Sequence, residues 1–195
     1  MNPIVFATHN PNKLSEIRQM LPKNLQVLSL EDIGCREEIP ETANTLEGNA
    51  RLKASHVREH YGYDCFADDT GLEVSALGGA PGVFSARFAG PAADSNANIQ
   101  KLLGLMEGKT DRKARFRTVI ALALDGVFHL FEGEVGGEIL SQPTGSGGFG
   151  YDPVFRPAGY DLSFAQMPLA EKNRISHRGR AFRNLSAYMR KNLTH

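Results

Sequence analysis

Short apolar runs and amphipathic stretches alternate along the first third of the chain. Ile4-Val5-Phe6-Ala7 predicts a buried strand. The polar turn Thr8-His9-Asn10-Pro11 then leads into a helix from Pro11 to Leu21, with Asn10 as N-cap and Pro11 at the first helical position. A second strand is expected near Gln26 to Leu30, followed by the acidic loop Glu37-Glu38-Ile39-Pro40-Glu41-Thr42. A helix from about Thr45 to Tyr61 follows, with Asn44 as candidate cap and Glu47 three residues later. Its apolar stripe is Leu46, Ala50, Ala54, Val57 and Tyr61, and at about 100° per residue Lys53 lies on the edge of that stripe. Cys65-Phe66-Ala67 then predicts a short strand that delivers Asp68 and Asp69 onto a turn completed by Thr70 and Gly71.

The pattern changes after this point. A Gly-rich loop runs from Glu73 to Gly90, and Asp94 or Ser95 caps a helix holding Ile99, Leu102, Leu103 and Met106. Phe116 to Leu124 and Val127 to Val135 read as two strands of a hairpin joined through Asp125-Gly126, which is the antiparallel part of the sheet. Glu138 to Leu140 predicts another short strand. Beyond the glycine-rich segment Gly145 to Gly150, Tyr151-Asp152-Pro153-Val154-Phe155 reads as a strand containing a proline, and the last helix is expected to begin near Ser176-His177-Arg178. Strands alternating with helices place the chain in the α/β class. No repeat or linker interrupts it, so residues 1–195 form a single domain, or two lobes around one cleft.

Composition narrows the candidate partners. Hydrophobic residues make up 41% and charged residues 23%, and the 22 Lys plus Arg balance the 22 Asp plus Glu. No global field therefore attracts nucleic acid or an anionic membrane, and any anion site must be local. Cys35 and Cys65 form no CxxC, the N-terminus has no signal-peptide pattern, and the longest apolar run, Val119 to Leu124, is too short to span a bilayer. The expectation is a cytoplasmic protein with packed thiols.

Three cationic sites stand out. Lys13 occupies a helix's first turn, where the macrodipole favours acidic groups, so it is locally mismatched unless an anion lies in front of it, the alternatives being a solvated lysine or one paired with Glu16. His177 and Arg178 repeat the anomaly, and Lys53 on an inward face either snorkels or meets a partner. The carboxylates Glu41, Asp68 and Asp69 could hold a divalent cation, or the aspartates could be turn punctuation. Asp68 and Asp69 are adjacent, so on an extended chain they point to opposite faces. Oxygen-ligated Mg²⁺ beside lysines and a helix N-terminus is what a polyphosphate requires, and Phe149 could stack on a base.

Three pattern matches fail on context. Gly145, Gly147 and Gly150 fit G-x-G-x-x-G but precede no helix, and Gly104 to Thr110 is one residue short of a P-loop and follows a helix. His56 to His60 reads H-x-x-E-H, but its face is offset from the stripe, the helix ends at Tyr61-Gly62, and no third ligand suggests itself.

Six ordered motifs carry a resemblance over nearly the whole chain. They are A-T-H-N-P-N-K-L-S-E-I (Ala7 to Ile17), E-T-A-N-T-L-E-G-N-A-R-L-K-A (Glu41 to Ala54), A-D-D-T-G-L-E-V (Ala67 to Val74), P-G-V-F-S-A-R-F-A-G (Pro81 to Gly90), G-S-G-G-F-G-Y-D-P-V-F (Gly145 to Phe155) and E-K-N-R-I-S-H-R-G-R-A (Glu171 to Ala181). Together they resemble the inosine/xanthosine triphosphate pyrophosphatases. The resemblance implies an elongated mixed β-sheet flanked by helices, two lobes around a central substrate cleft, and a homodimer. It also implies Mg²⁺-dependent hydrolysis of ITP, dITP and XTP to monophosphate and pyrophosphate. By motif, Thr8, His9, Asn10, Pro11, Asn12, Lys13 and Lys53 would handle phosphates. Glu41 and Asp69, with Asp68 as a further carboxylate, would hold metal, and Asp69 would accept the proton of the attacking water. Thr70 would lie next to the substrate, and Phe149, Gly150, Tyr151, Asp152, Lys172, His177 and Arg178 would form the nucleoside pocket. The chain departs from the pattern at His9, where glycine is expected, at Ala43 and Gly48, where glycine and an acidic residue are commoner, and at Gln166, where glutamate is expected. Two other classes remain open, a pyrophosphatase of modified pyrimidine nucleotides and a non-catalytic nucleotide-binding module.

Overall fold

The computed structural model describes residues 3–20 and 25–193. Among them are a mixed seven-stranded sheet and five α-helices. The strands are β1 (Ile4–Phe6), β2 (Val27–Leu28), β3 (Cys65–Val74), β4 (Pro81–Gly82), β5 (Lys113–Leu124), β6 (Val127–Ile139) and β7 (Phe155–Pro157). The helices are α1 (Pro11–Met20), α2 (Leu46–Tyr61), α3 (Ser95–Leu105), α4 (Leu169–Ile175) and α5 (His177–Leu193). The sheet order is β2-β1-β3-β5-β6-β7, with β4 also paired to β3. β1 is parallel to β2 and β3 in the registers Val5↔Leu28 and Phe6↔Phe66, whereas β4 on β3 and β7 on β6 are antiparallel.

The chain divides into two compact units. Unit 1 comprises Met1–Asp69, Thr118–Gly133 and Arg178–His195, and unit 2 comprises Thr70–Arg117 and Glu134–His177. Unit 1 has two apolar layers, one on each face of its strands. Val5, Ala7, Cys65 and Ala67 face the Ala50, Ala54 and Val57 side of α2, while Ile4, Phe6 and Phe66 face Ile17 of α1 and Phe182 and Leu185 of α5. This alternation is the period-two pattern of a strand buried on both faces. Unit 2 has one core, in which Leu72, Phe116, Phe155 and Phe164 pack with Leu102 of α3.

Several expected boundaries move. The helix from Pro11 ends at Met20, and Leu21 lies outside the described residues. The strand expected over Gln26 to Leu30 is only Val27–Leu28. The cap of α2 is Thr45 rather than Asn44, because the Thr45 hydroxyl accepts from the Gly48 N–H, three residues on, as an N-cap does. The largest correction concerns β3. It runs ten residues, straight through the expected turn at Asp68 to Gly71. Gly71 is used there for close approach, since a Cβ would sit 2.7 Å from the Gly82 carbonyl oxygen on β4.

β6 likewise continues to Ile139 and takes in Glu138 and Ile139 of the strand expected over Glu138 to Leu140, and Gly137 lets β7 come close, since a side chain there would collide with the Arg156 carbonyl. The segment expected as a strand from Tyr151 is a 3₁₀ turn, Asp152–Val154, with β7 starting at Phe155. The hairpin at Asp125-Gly126 has the expected turn, with φ of 48° and 79°. Both thiols are buried and free. No helix among the described residues is long and apolar enough to cross a membrane.

Candidate active site

The alternation along β3 decides what each aspartate meets. Asp68 continues the Phe66 face toward α1 and α5, and Asp69 continues the Cys65 and Ala67 face toward α2. Both carboxylates are buried. A pair that reads as one acidic spot in sequence is therefore two sites back to back.

On the first face, β1 delivers the chain into the N-terminus of α1. Thr8 Oγ1 accepts from the Asn10 N–H at 3.1 Å, and Asn10 Oδ1 accepts from the N–H groups of Asn12 (2.9 Å) and Lys13 (3.2 Å). The side chain of Lys13 reaches 55 residues along the chain to Asp68 Oδ1 at 3.0 Å. Glu16 pairs instead with Arg178 of α5, whose Nε lies 3.5 Å from Asp68 Oδ2. Burial opposes ionisation of Asp68, but Lys13, Arg178 and Lys53 overcome it and hold the carboxyl at about 2. Burial outweighs the Asp68 charge at Lys13 and lowers that amine.

On the second face, Lys53 of α2 donates to the Glu41 carboxylate and lies 3.9 Å from Asp69 Oδ1. Burial disfavours its charge, yet Asp69, Glu41 and Asp68 together raise its pKa. Asp69 Oδ2 also accepts from Asn49 Nδ2 at 3.1 Å, and Asn49 Oδ1 accepts from the Ala43 N–H at 2.9 Å. Burial, more than the lysines can offset, pushes the Asp69 carboxyl above its ordinary value. Two adjacent carboxylates are thus driven in opposite directions, a pattern that separates a permanent anion from a proton acceptor. The hard oxygens of Glu41 and Asp69 converge on one ammonium, and this donor set suits Mg²⁺. Asp68 is already matched by two cations on the other face.

Unit 2 holds the second group. Asp152, at the start of the 3₁₀ turn, accepts from the Phe149 N–H (2.8 Å) and from Lys172 Nζ of α4 (2.7 Å), with Lys172 and Asp152 both buried. The Lys172 ammonium lies 4.9 Å from the Phe149 ring centroid. Gly148, with φ of 69°, has no room for a side chain, since a Cβ would be 2.1 Å from Asp152 Oδ2. Gly150, also at positive φ (61°), turns the chain into Tyr151, whose hydroxyl donates to the Ser85 carbonyl. His177 is buried and stacks on Phe116 at 4.6 Å and 15°. Thr70 is half-buried at the head of unit 2.

The structure places the remaining departures as well. His9 does not have a positive φ, and its Nε2 contacts the Glu37 carbonyl at 3.0 Å, so it ties the turn before α1 to the acidic loop. Gln166 closes a capping box with Ser163 around the Phe164–Gln166 3₁₀ turn, a task an amide performs. Asn49 and Glu16 are the residues that motif reasoning passed over. Asn49 was detectable as a polar residue on the inward face one turn before Lys53, whereas nothing local links Glu16 to a partner 162 residues away.

An N-capped helix, lysines and buried carboxylates on a mixed sheet define an α/β protein whose charged groups are gathered where β1 ends beside β3. Comparison with known proteins makes this particular. The Ham1 family model matches residues 4–188, and the chain belongs to that family. It is 58% identical over 188 residues to a dITP/XTP pyrophosphatase of Christiangramia forsetii, covering 96% of this chain and 99% of that one. It is 55% identical to a dITP/XTP pyrophosphatase of Porphyromonas gingivalis, covering 97% and 98%. Among solved structures it resembles a HAM1 protein from Coxiella burnetii, with a TM-score of 0.90, 38% identity, and coverage of 98% and 100%.

Proposed function

We propose that this chain is a nucleoside triphosphate pyrophosphatase that hydrolyses ITP, dITP and XTP to the monophosphate and pyrophosphate, keeping these bases out of DNA and RNA. The resemblance to a dITP/XTP pyrophosphatase 58% identical to this chain supports the substrate class. The observation that carries the chemistry is the environment of Asp69. This buried carboxylate with a raised pKa is oriented by Asn49 and accompanied by Lys53 and Glu41.

Asp69 accepts a proton from water as that water attacks the polyphosphate, and its raised pKa brings its basicity closer to the task. Lys13, Lys53 and the capped start of α1 (Thr8 to Lys13) balance phosphate charge. Glu41 and Asp69 would hold Mg²⁺, which when bound supplies charge neutralisation at the phosphates. In unit 2, Phe149 to Asp152, Lys172 and His177 serve the nucleoside, together with Arg178 at the head of α5. Donors at His177 and Arg178 match the 6-keto oxygen of hypoxanthine and xanthine, whereas the amino group of adenine offers them no acceptor. The chain acts as a cytoplasmic homodimer.

The test incubates the protein with ITP, dITP, XTP, GTP, ATP and modified pyrimidine triphosphates, with and without Mg²⁺, and measures pyrophosphate and orthophosphate. Pyrophosphate from ITP, dITP and XTP that requires Mg²⁺ is the expected result. Orthophosphate alone contradicts the assigned bond cleavage, and absence of turnover contradicts an enzyme. Light scattering on the eluting protein checks the dimer.

A further inference from the structure

The segment after β2 brings a thiol, a carboxylate and an imidazole together away from the Asp69 and Asp68 sites. Gly34, with φ of 76°, turns the chain so that the Cys35 N–H donates to the Leu30 carbonyl at 2.9 Å, which seats Cys35 in the apolar layer beside α2. Glu37 follows two residues later and is exposed. Opposite them, α2 presents His56, whose Nε2 lies 3.0 Å from Glu37 Oε1. The Cys35 sulfur, a Glu37 oxygen and a His56 nitrogen all lie within 4.8 Å of one another. His60, one turn on, stacks on His56 with centroids 4.4 Å apart, and its Nδ1 is 3.0 Å from the His56 carbonyl. The two histidines of the H-x-x-E-H pattern are therefore parallel neighbours rather than converging ligands, and only His56 faces the cluster.

We propose that Cys35, Glu37 and His56 form a binding site for Zn²⁺, separate from the oxygen-only set of Glu41 and Asp69. Tetrahedral zinc places such donors about 3.3–3.5 Å apart, so closing the set takes about an ångström of side-chain rotation. Glu37 and His56, at the accessible end, can supply that movement while Cys35 stays seated. A solvent molecule fills the fourth position. Binding makes the zinc–sulfur bond at the expense of the thiol S–H bond, and the proton leaves to solvent.

A sulfur–nitrogen–oxygen set favours borderline transition metals, and Mg²⁺ takes oxygens, so Mg²⁺ does not occupy the Cys35 site. Zinc here clips the start of the loop that carries Glu41 onto the helix that carries Lys53. The Tyr61 hydroxyl, 2.8 Å from Glu37 Oε1, orients the carboxylate and is not a ligand.

The experiment titrates the chelator-stripped full chain, in saturating Mg²⁺, with Co²⁺ and then Zn²⁺. It reads the sulfur-to-cobalt charge-transfer absorption and the Tm. One equivalent of Co²⁺ giving that absorption, its loss to Zn²⁺, and a rise in Tm with Zn²⁺ are expected. Cys35→Ser should abolish the absorption, and His56→Ala or the surface change Glu37→Ala should weaken Zn²⁺ at least about tenfold. Tyr61→Phe should still bind one equivalent. Absence of the sulfur absorption, or Zn²⁺ affinity that survives both His56→Ala and Glu37→Ala, overturns the proposal. These readouts involve no nucleotide, so they stand apart from any result on hydrolysis.

Discussion

A Cβ placed on Gly48 would lie 2.5 Å from the Cβ of Ala43. Two of the four residues at which this chain departs from the expected family pattern are therefore one change, the methyl at 43 being accommodated by the bare backbone at 48. Gly48→Ala should destabilise the protein by about 1–3 kcal/mol through overpacking. Ala43→Gly alone should cost less, and the double variant should recover most of the loss. A double-mutant cycle by urea unfolding measures the coupling. Additive effects would contradict direct contact.

The same loop orients Asp69. Asn49 holds the Ala43 N–H with one end of its amide and the Asp69 carboxylate with the other, and that second bond favours the ionised acid. Asn49→Ala removes it, so the Asp69 pKa rises further and the acid limb of the kcat/KM profile should move to higher pH. kcat should fall by about tenfold, with KM little changed, as expected when a base loses its orientation. A pH–rate profile that superimposes on the wild type would assign Asn49 to folding alone.

Asp68 should dominate acid stability. Its folded pKa of about 2 lies below the ordinary 3.8. Its contribution is therefore complete above that ordinary value and disappears as pH falls through about 2. The difference corresponds to about 2 kcal/mol. Asp68→Asn should flatten the pH dependence of unfolding free energy in this window. At neutral pH it should be less stable, because Lys13 and Arg178 lose their buried counter-charge. Chemical denaturation from pH 2 to 7 checks both.

Base selection is expected to depend on the first residues of α5. Removing the donors with His177→Ala and Arg178→Ala should lower the ITP-to-ATP ratio of kcat/KM by about tenfold or more. Arg178→Ala should also lower stability, because it strips the Glu16 and Asp68 carboxylates of a partner. An unchanged ratio in both variants would remove them from base recognition.

Much of this site is legible without coordinates, and what is lost has identifiable causes. Asn10 and Pro11 announce α1 by local chemistry, and the inward position of Lys53 follows from helical period alone. The opposite facing of Asp68 and Asp69 follows from strand alternation. The turn expected at Asp68-Asp69-Thr70-Gly71 fails because β4 approaches the backbone at Gly71, a tertiary demand that local Asp and Gly propensity cannot display. Gly137 misleads for the same reason, where β7 pairs closely with β6. α4, seven residues long, is too short to show a period. The Glu16–Arg178 pair joins the two ends of the chain and leaves no mark in either neighbourhood.

The central assignment is Asp69 as the proton acceptor in a reaction that releases pyrophosphate. Pyrophosphate release from ITP with Mg²⁺, compared for the wild type and Asp69→Asn at matched far-UV circular dichroism, tests it most directly. The wild type should release one pyrophosphate per monophosphate, and Asp69→Asn should lose about 10²–10⁴-fold in kcat with its fold retained. Near-normal turnover by Asp69→Asn, or orthophosphate as the product, would contradict the account.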